Sequence, residues 1–368
     1  MTASSPSNTA APNLEDRSGA TKPSVWQTPW MNTLGRFLAL VIVFAFFAVM
    51  VKDGRFYTPR NLENIARQSA VYATAGIGMT MVIIAGGIDL SVGSIIALTV
   101  VMIAWVLNLP YHGVAADGAA QAGKLIEHYP TLLPISALVA AVLAAMVAGF
   151  FNGVLIVGLR LVPFIVTLGT MGIFRGIAKG ISGERDIYPP DTWINSIMDP
   201  TLTSNDPSRS WMLLPPGIWI LIVASILAAL LLRYTRLGRH IFAVGSSEDT
   251  ARLCGVPVER TKIIVYTLAG FFGGLAGIMQ FSFNSGIGQP TTAIAYELFV
   301  IAAVVIGGGS LLGGEGSILG SLIGALIITI LYMGGQQMDW PKWVQEIVIG
   351  GIIIAAVALD RVRHRAMT

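Results

Sequence analysis

The chain has 368 residues, of which 54% are hydrophobic and only 12% are charged. Soluble globular domains carry roughly 25% charged residues. A chain of this length with half that share would expose apolar patches large enough to cause aggregation. The composition therefore excludes a soluble globular protein and predicts a chain embedded in a membrane.

Several functional classes lack the residues that they need. The net charge is only +3, and the basic residues stand in short clusters between apolar runs, which is not the pattern of a nucleic-acid-binding surface. The single cysteine excludes a disulfide framework, and the four histidines are not spaced as metal ligands. No Gly-x-x-x-x-Gly-Lys-Ser/Thr run is present, so the sequence has no P-loop for nucleotide hydrolysis. We expect no catalytic residues and no metal site.

Ten apolar runs are candidates for membrane-spanning helices, which need about 20 residues each. The residues before them, 1–33, are rich in Ser, Thr, Ala and Pro and are predicted to be a disordered tail. The first run lacks a small-residue cleavage site, so we expect a retained helix rather than a signal peptide. The predicted fold is an all-α polytopic membrane domain over 34–360 with a short tail, 361–368, and the ten spans are 34–51, 65–86, 92–109, 131–157, 162–180, 212–232, 263–283, 296–310, 316–334 and 343–359.

Charge in the connecting segments predicts the orientation. Segment 233–262 holds six basic residues against three acids, whereas segment 181–212 holds two against five. Because cytoplasmic loops are rich in Lys and Arg, we expect 233–262 and both termini in the cytoplasm and 181–212 outside. Segment 52–67 disagrees, since it holds four basic residues against two acids and yet falls outside in this topology.

An internal repeat is indicated by a shift of 223 positions. It places VIIAGGIDLSVGSI (82–95) over VIGGGSLLGGEGSI (305–318), with six identities in fourteen positions. Both segments join the end of one span to the start of the next, as in a duplicated bundle, and transporters often contain such repeats. The alternative is chance similarity between two glycine-rich turns.

Three polar residues inside apolar runs are candidates for a substrate pathway. Asp89 follows two glycines and either caps the next helix or acts as a gate in the path, since an acid at membrane depth is costly. Arg175 either extends to the outer interface or lines a polar vestibule. Asn152 makes an interhelical hydrogen bond or, alternatively, contacts the ligand.

The segment 238–257 is too long for a turn, and its composition is not that of a disordered linker. A serine precedes two acids, which is a helix-start signal, and Gly255 with Pro257 supplies a stop. These signals predict a short surface helix of about seven residues. It is either a solvated connector or a docking helix for a soluble partner, and we favour docking through Gly245, Ser246, Ser247, Glu248, Ala251, Arg252 and Gly255.

These motifs together resemble the membrane permease family of bacterial ABC importers for ribose, xylose, galactose and related monosaccharides. The resemblance covers about residues 55 to 361. It is carried by GIDLSVGS (87–94), VPFIVTLGTM (162–171), ARLCGV (251–256), IAAVVIGG (301–308) and GGEGS (313–317).

The resemblance implies a permease subunit of the bacterial inner membrane that imports a monosaccharide and is not itself an enzyme. It implies four partners: a cytoplasmic ABC ATPase that binds the ATP and magnesium, a periplasmic sugar-binding protein, a second permease copy and the surrounding lipid. The segment 238–257 is similar to the coupling helix that contacts the ATPase in this family. This chain would then hold no cofactor of its own.

Two alternatives remain for the function. The branched-chain amino-acid permeases are similar in overall pattern, although the GIDLS run favours sugars. An ion-coupled secondary transporter is the other, but it needs buried titratable pairs, and Asp89 is nearly alone as an intramembrane acid. A membrane enzyme would need a clustered nucleophile or acid–base pair.

Overall fold

The computed structural model describes residues 29–114, 120–203 and 212–365. The chain divides into two units, Met1–Gly35 and Arg36–Thr368. Of the first unit only the opening turns of its helix are described, so most of the predicted N-terminal tail lies outside the described residues. The end of the predicted C-terminal tail, 366–368, also lies outside them.

Nearly all of the described chain is helical. Two short 3-10 helices, Lys52–Tyr57 and Trp193–Ser196, and one antiparallel hairpin of β1 (Pro110–Val114) and β2 (Ala120–Lys124) accompany the α-helices. The α-helices are α1 (Pro29–Met50), α2 (Pro59–Ile84), α3 (Val92–Leu107), α4 (Leu125–His128), α5 (Leu132–Leu159), α6 (Pro163–Ser182), α7 (Pro216–Tyr234), α8 (Arg236–Ser246), α9 (Glu248–Leu253), α10 (Val258–Phe283), α11 (Tyr296–Ile306), α12 (Ile318–Gln337) and α13 (Lys342–Arg365).

Each of the ten predicted spans overlaps one α-helix, of which α11 is short, and the prediction of a helical polytopic membrane protein is confirmed. Five helices of the described part, α5, α6, α7, α10 and α12, are long and apolar enough to cross a membrane. Shorter apolar helices run over Leu34–Met50, Val92–Leu107 and Tyr296–Ile306. The number of spans therefore stays a prediction.

The hairpin and α8 are the largest features that the sequence analysis did not predict. The hairpin occupies the connection between α3 and α5, and α8 precedes the expected surface helix. α8 has the sequence RLGRHIFAVGS, with Gly238, Ile241 and Val244 buried and most of its charged residues exposed. The sequence analysis missed it because eleven residues of mixed polarity resemble a connector as much as a helix.

Close helix packing around α10 forms the centre of the bundle. α10 lies against α5, α2 and α3, and it meets α5 where Gly149 faces Gly270. A β-carbon at position 149 would overlap the carbonyl oxygen of Tyr266. Small residues at such crossings let helix backbones approach closely, which is how helices associate in lipid.

The two segments of the sequence repeat form the same chain reversal. After α2, the N–H of Gly86 donates to the carbonyl of Ile83 at 2.9 Å, and Gly86 has a φ of 79°. After α11, the N–H of Gly308 donates to the carbonyl of Val305 at 2.8 Å, and Gly308 has a φ of 83°. This left-handed conformation favours glycine. The geometry supports an internal repeat, with a register at this turn that differs by one residue from the sequence alignment.

The basic segment 52–67 lies at the same end of the bundle as residues 198–203 of the acidic segment 181–212, as the predicted topology requires. The carboxylate of Glu63 accepts hydrogen bonds from the N–H groups of Leu202 at 3.0 Å and Thr203 at 3.2 Å. Arg67 donates to the carbonyl of Met198. Arg67, one of the four basic residues that disagree with the predicted orientation, is thus hydrogen-bonded within the protein.

Candidate functional site

The segment 238–257, which we call the coupling segment, contains two helices. Ser247 separates them and caps α9, because its hydroxyl accepts a 3.3 Å hydrogen bond from the N–H of Thr250. Glu248 and Asp249 occupy the first turn, where negative charge favours the positive end of the helix dipole. Gly255, with a φ of 81°, follows the helix end. The predicted start and stop thus correspond to α9, whereas Gly245 and Ser246 belong to α8.

Ion pairs join α9 to the beginning of α10. The ammonium of Lys262 donates to the carboxylate of Glu248 at 2.6 Å, and the guanidinium of Arg252 lies 2.6 Å from the carboxylate of Glu259. Arg252 also lies 3.6 Å from Glu248, one helical turn away. Each pair is partly exposed and individually weak. Together they hold α9 against the first turn and a half of α10, where Glu259 and Lys262 lie one turn apart.

The two faces of α9 differ sharply. Ala251 is buried and packs with Val244 of α8 and Val258 of α10, whereas the side chain of Leu253 is 89% exposed. Ala251 was predicted to belong to a docking face, but it lies on the opposite face of α9 and packs the helix against the protein. Leu253 was missed, because helix spacing alone does not show which side of a six-residue helix faces the protein.

The end of α8 contacts both chain reversals of the repeat. A β-carbon at position 245 would overlap the carbonyl oxygen of Ile84 and lie 2.7 Å from the nitrogen of Gly314. Gly314 donates its N–H to the same carbonyl of Ile84 at 2.9 Å. Gly313, with a φ of 90°, lies against Gly245 and Gly86. We call this three-way contact the glycine junction.

Two predicted pathway residues, Asp89 and Asn152, lie in one buried hydrogen-bonded group. The carboxylate of Asp89 accepts from the N–H of Ser91 at 2.8 Å and from its hydroxyl at 2.6 Å. Asn152 of α5 donates to the hydroxyl of Ser91 at 2.8 Å. The carboxylate thus caps the turn before α3, and the amide links that turn to α5. Within the described part, the Asn152 Oδ1 atom and the nearby Tyr266 hydroxyl have no hydrogen-bond partner.

A small cavity separates this group from the coupling segment. Its volume is about 280 Å³, and it is lined by residues of the α2–α3 turn, the start of α6, the end of α8 and the ion pair of Glu248 and Lys262. Tyr266 also lines it. Asp89 and the coupling segment are therefore near neighbours in the fold, although about 150 residues separate them in the sequence.

Arg175 points into the protein and is separate from the Asp89 group. It donates to the backbone carbonyls of Thr292 at 2.6 Å, Pro290 at 3.0 Å and Ala293 at 3.4 Å. It lies about 18 Å along α6 from Pro163, near the middle of the helix, by the rise of 1.5 Å per residue. The interpretation that Arg175 extends to the outer interface is therefore wrong, whereas the neighbouring Lys179 is exposed.

The carbonyls that Arg175 contacts belong to the irregular segment 284–295. We call this segment together with the short helix α11 the discontinuous span. α11 has only 11 residues, about 17 Å, and the irregular segment 284–295 precedes it. Ala293 and Ala295 have positive φ angles of 55° and 66°. Irregular backbone of this kind persists where protein contacts satisfy its polar groups, as Arg175 does here.

Polar side chains of α10 and α11 surround the irregular segment. Gln280 donates to Asn284 at 2.8 Å, and Asn284 donates to the hydroxyl of Thr292 at 3.0 Å. Glu297 interacts electrostatically with Arg175. These residues were missed by sequence reasoning, although the spacing of Gln280 and Asn284, one turn apart at the end of an apolar run, is a signal that was present.

Comparison with known proteins supports the sequence resemblance. The family model described as "Branched-chain amino acid transport system / permease component" matches residues 61–357. The ribose import permease protein RbsC of Escherichia coli (strain K12) is 35% identical, with 90% of this chain and 94% of the relative covered. The xylose transport system permease protein XylH of Haemophilus influenzae is 30% identical, covering 90% and 96%.

A third similar protein is named for another monosaccharide. The D-allose transport system permease protein AlsC of Escherichia coli (strain K12) is 34% identical, covering 92% of this chain and 94% of the relative. No solved structure matches the chain significantly. The family model and the relatives cover the same long part of the chain, which contains the glycine junction, α9 and the discontinuous span. The chain therefore belongs to the family of membrane permease subunits of bacterial ABC importers for monosaccharides.

Proposed function

We propose that this chain carries a monosaccharide across the bacterial inner membrane as the permease subunit of an ATP-driven importer. A periplasmic binding protein delivers the sugar, and a separate ATPase binds the ATP and magnesium. The support is that the relatives are named for the import or transport of ribose, xylose and allose and match nearly the whole chain. The charge pattern favours cytoplasmic N- and C-termini.

The exposure of Leu253 is the observation that supports contact between α9 and the ATPase. An apolar side chain that is 89% exposed on a capped, ion-paired helix is typical of an anchor that a partner buries. Ala251 packs α9 against the protein, and ion pairs join α9 to α10. A force on Leu253 would therefore move α9 as a rigid element. The ATPase is the partner that we assign to this face.

The glycine junction offers a route from α9 into the membrane. α8 and α9 share Ser247 as their boundary, and the end of α8 touches both Ile84 and Gly314. Movement of α9 would therefore reach the ends of α2 and α12 as well as its neighbour α10. Two permease copies would form the path between them, with weak polar contacts that let the sugar leave.

A reconstituted uptake assay tests the substrate class. Proteoliposomes with this chain, its ATPase and its binding protein should accumulate labelled ribose, xylose or allose when ATP is supplied. Leucine should not be accumulated. Uptake of leucine without uptake of any monosaccharide would contradict the proposal and favour the branched-chain amino-acid alternative.

Substitution of Leu253 tests the coupling face. Leu253→Asp should leave insertion and thermal stability unchanged, because the side chain contacts solvent, and should abolish co-purification with the ATPase. Cys254→Ser, at the neighbouring exposed position, is the matched control and should bind normally. In that background Leu253→Cys should crosslink to the ATPase, and normal transport by Leu253→Asp would rule out this docking face.

A further inference from the structure

A pocket between α7, α8 and the start of α12 has the chemistry of a phospholipid site. Its volume is about 580 Å³. An apolar wall and two arginines, Arg233 and Arg239, line it, and none of the described residues that line it is acidic. The wall is formed by Ala229, Leu232, Phe242, Ile318 and Leu319.

The position of the pocket corresponds to the edge of the bilayer. Arg233 lies in the last turn of α7, one of the five helices long enough to cross a membrane. Its guanidinium lies 5.5 Å from the ring centroid of Tyr234, a largely exposed aromatic residue at the point where the chain leaves that helix. Aromatic and basic residues of this kind mark the membrane–water interface.

The amphipathic helix α8 completes the pocket from the aqueous side. Its buried face holds Ile241 and Val244, and Arg239 lies on its exposed face. The apolar face packs on the protein, so the exposed basic face borders the pocket. The positive charge of the pocket therefore lies at and just after the end of α7, the position in which basic residues meet lipid headgroups.

The charges in the pocket are not satisfied by the protein around them. Neither Arg233 nor Arg239 has an ion pair within the described part of the chain. Arg36 lies near the rim, where its guanidinium is 3.4 Å from the hydroxyl of Ser317. Glu315, next to Gly316 in the sequence, does not line the pocket. A ligand with a negative group and apolar chains matches both parts of the surface.

We propose that this pocket binds an anionic phospholipid, with its phosphate between Arg233 and Arg239 and an acyl chain along the apolar wall. A free phosphate would leave that wall uncovered, so the occupant is the lipid. The site is separate from α9 and from the discontinuous span, and the proposal does not depend on the substrate of the permease.

Native mass spectrometry of the purified chain tests the site with phosphatidylglycerol and, for comparison, phosphatidylcholine of the same acyl chains. The chain should retain phosphatidylglycerol in preference. Arg233→Gln/Arg239→Gln should weaken its retention about tenfold, as expected for the loss of two basic contacts. The matched control, Arg236→Gln/Arg260→Gln, removes the same charge from exposed positions outside the pocket and should retain the lipid.

A second variant tests the space in the pocket independently of its positive charge. Ala229→Trp fills the space from an exposed position of α7 and keeps both arginines, so it should also lose the lipid. Excess inorganic phosphate should not displace the lipid. Equal lipid retention by all variants, or displacement by phosphate alone, would overturn the proposal.

Crosslinking tests the other possible occupant, a second copy of this chain. Ala229→Cys in a Cys254→Ser background should give no disulfide-linked dimer under mild oxidation in membranes. A dimer formed in high yield would show that the second copy covers the pocket, and would overturn lipid binding at this place.

Discussion

The backbone N–H of Gly314 donates to the carbonyl oxygen of Ile84 at 2.9 Å, which joins the chain reversals of the two repeat segments. The backbone of Gly245 lies against the same carbonyl. The hydrogen bond and the contact with Gly245 involve only backbone atoms, so the end of α8 and both reversals approach one another closely. A β-carbon at position 245 would overlap the carbonyl oxygen of Ile84.

Gly245→Ala is therefore expected to lower the thermal stability and to impair uptake, because its β-carbon overlaps the Ile84 carbonyl. Overpacking of this kind typically costs about 1–3 kcal/mol. The control is Gly158→Ala in α5, where a β-carbon meets no atom within 4 Å. That variant should be as stable as the parent or slightly more stable, since alanine favours helices. Equal behaviour of both variants would show that the glycine junction is not under steric constraint.

The ion pair between Glu248 and Lys262 predicts a charge-swap result. Glu248→Lys places like charges together at a 2.6 Å contact and should loosen α9, seen as faster amide hydrogen exchange over 248–253. Glu248→Lys/Lys262→Glu should restore part of the protection, because it re-forms this pair while the substituted position 248 still faces Arg252 and the start of the helix. The difference should shrink at high salt, because the pair is partly exposed. If the swapped variant exchanges as fast as the single one, the pair does not hold the helix.

Asp89 is expected to tolerate an amide better than a methyl group. Asp89→Asn keeps an oxygen that accepts from Ser91, and uptake should be largely retained. Asp89→Ala leaves the N–H and hydroxyl of Ser91 without their acceptor and should destabilise the protein by about 1–3 kcal/mol. Thermal stability and uptake are measured together, and loss of uptake in a stable Asp89→Asn variant would show that the charge itself is required.

Arg175 should be irreplaceable by lysine. Its guanidinium serves three backbone carbonyls of the segment 284–295, and a single ammonium does not present donors in the same fixed fork. Arg175→Lys should reduce uptake, and Arg175→Gln should reduce it further together with thermal stability. The exposed neighbour provides the control, because Lys179→Gln should behave like the parent. Full uptake by Arg175→Gln would mean that the segment keeps its shape without this anchor.

Helix ends in this chain are predictable from the sequence because their signals are local. Ser247 and Gly255 bound α9 in the sequence and in the structure, and each of the ten apolar runs corresponds to an α-helix. The direction of a side chain is not local. Ala251 faces α10, and Arg175 faces the irregular segment, only because distant parts of the chain approach them.

The discontinuous span is a second example in which contacts between distant residues, rather than the local sequence, determine the structure. Residues 296–310 are predicted as one apolar span, whereas the helix ends at Ile306 and the glycines 307–309 form the turn that follows it. The irregular segment 284–295 precedes the helix. The conformations of Ala293 and Ala295 are costly for those residues and persist because Arg175 and the neighbouring helices hold them. Sequence patterns report average preferences, whereas this segment is set by contacts.

The segment 187–203, at the end of the bundle opposite α9, is fastened at three separate places. Ile187 pairs with Gly288, Glu63 accepts the N–H groups near its far end, and Ser282 donates to the carbonyl of Asn195 at 2.6 Å. A surface that is already ordered loses little conformational entropy when a partner lands on it. A partner that binds this surface can therefore do so through few contacts.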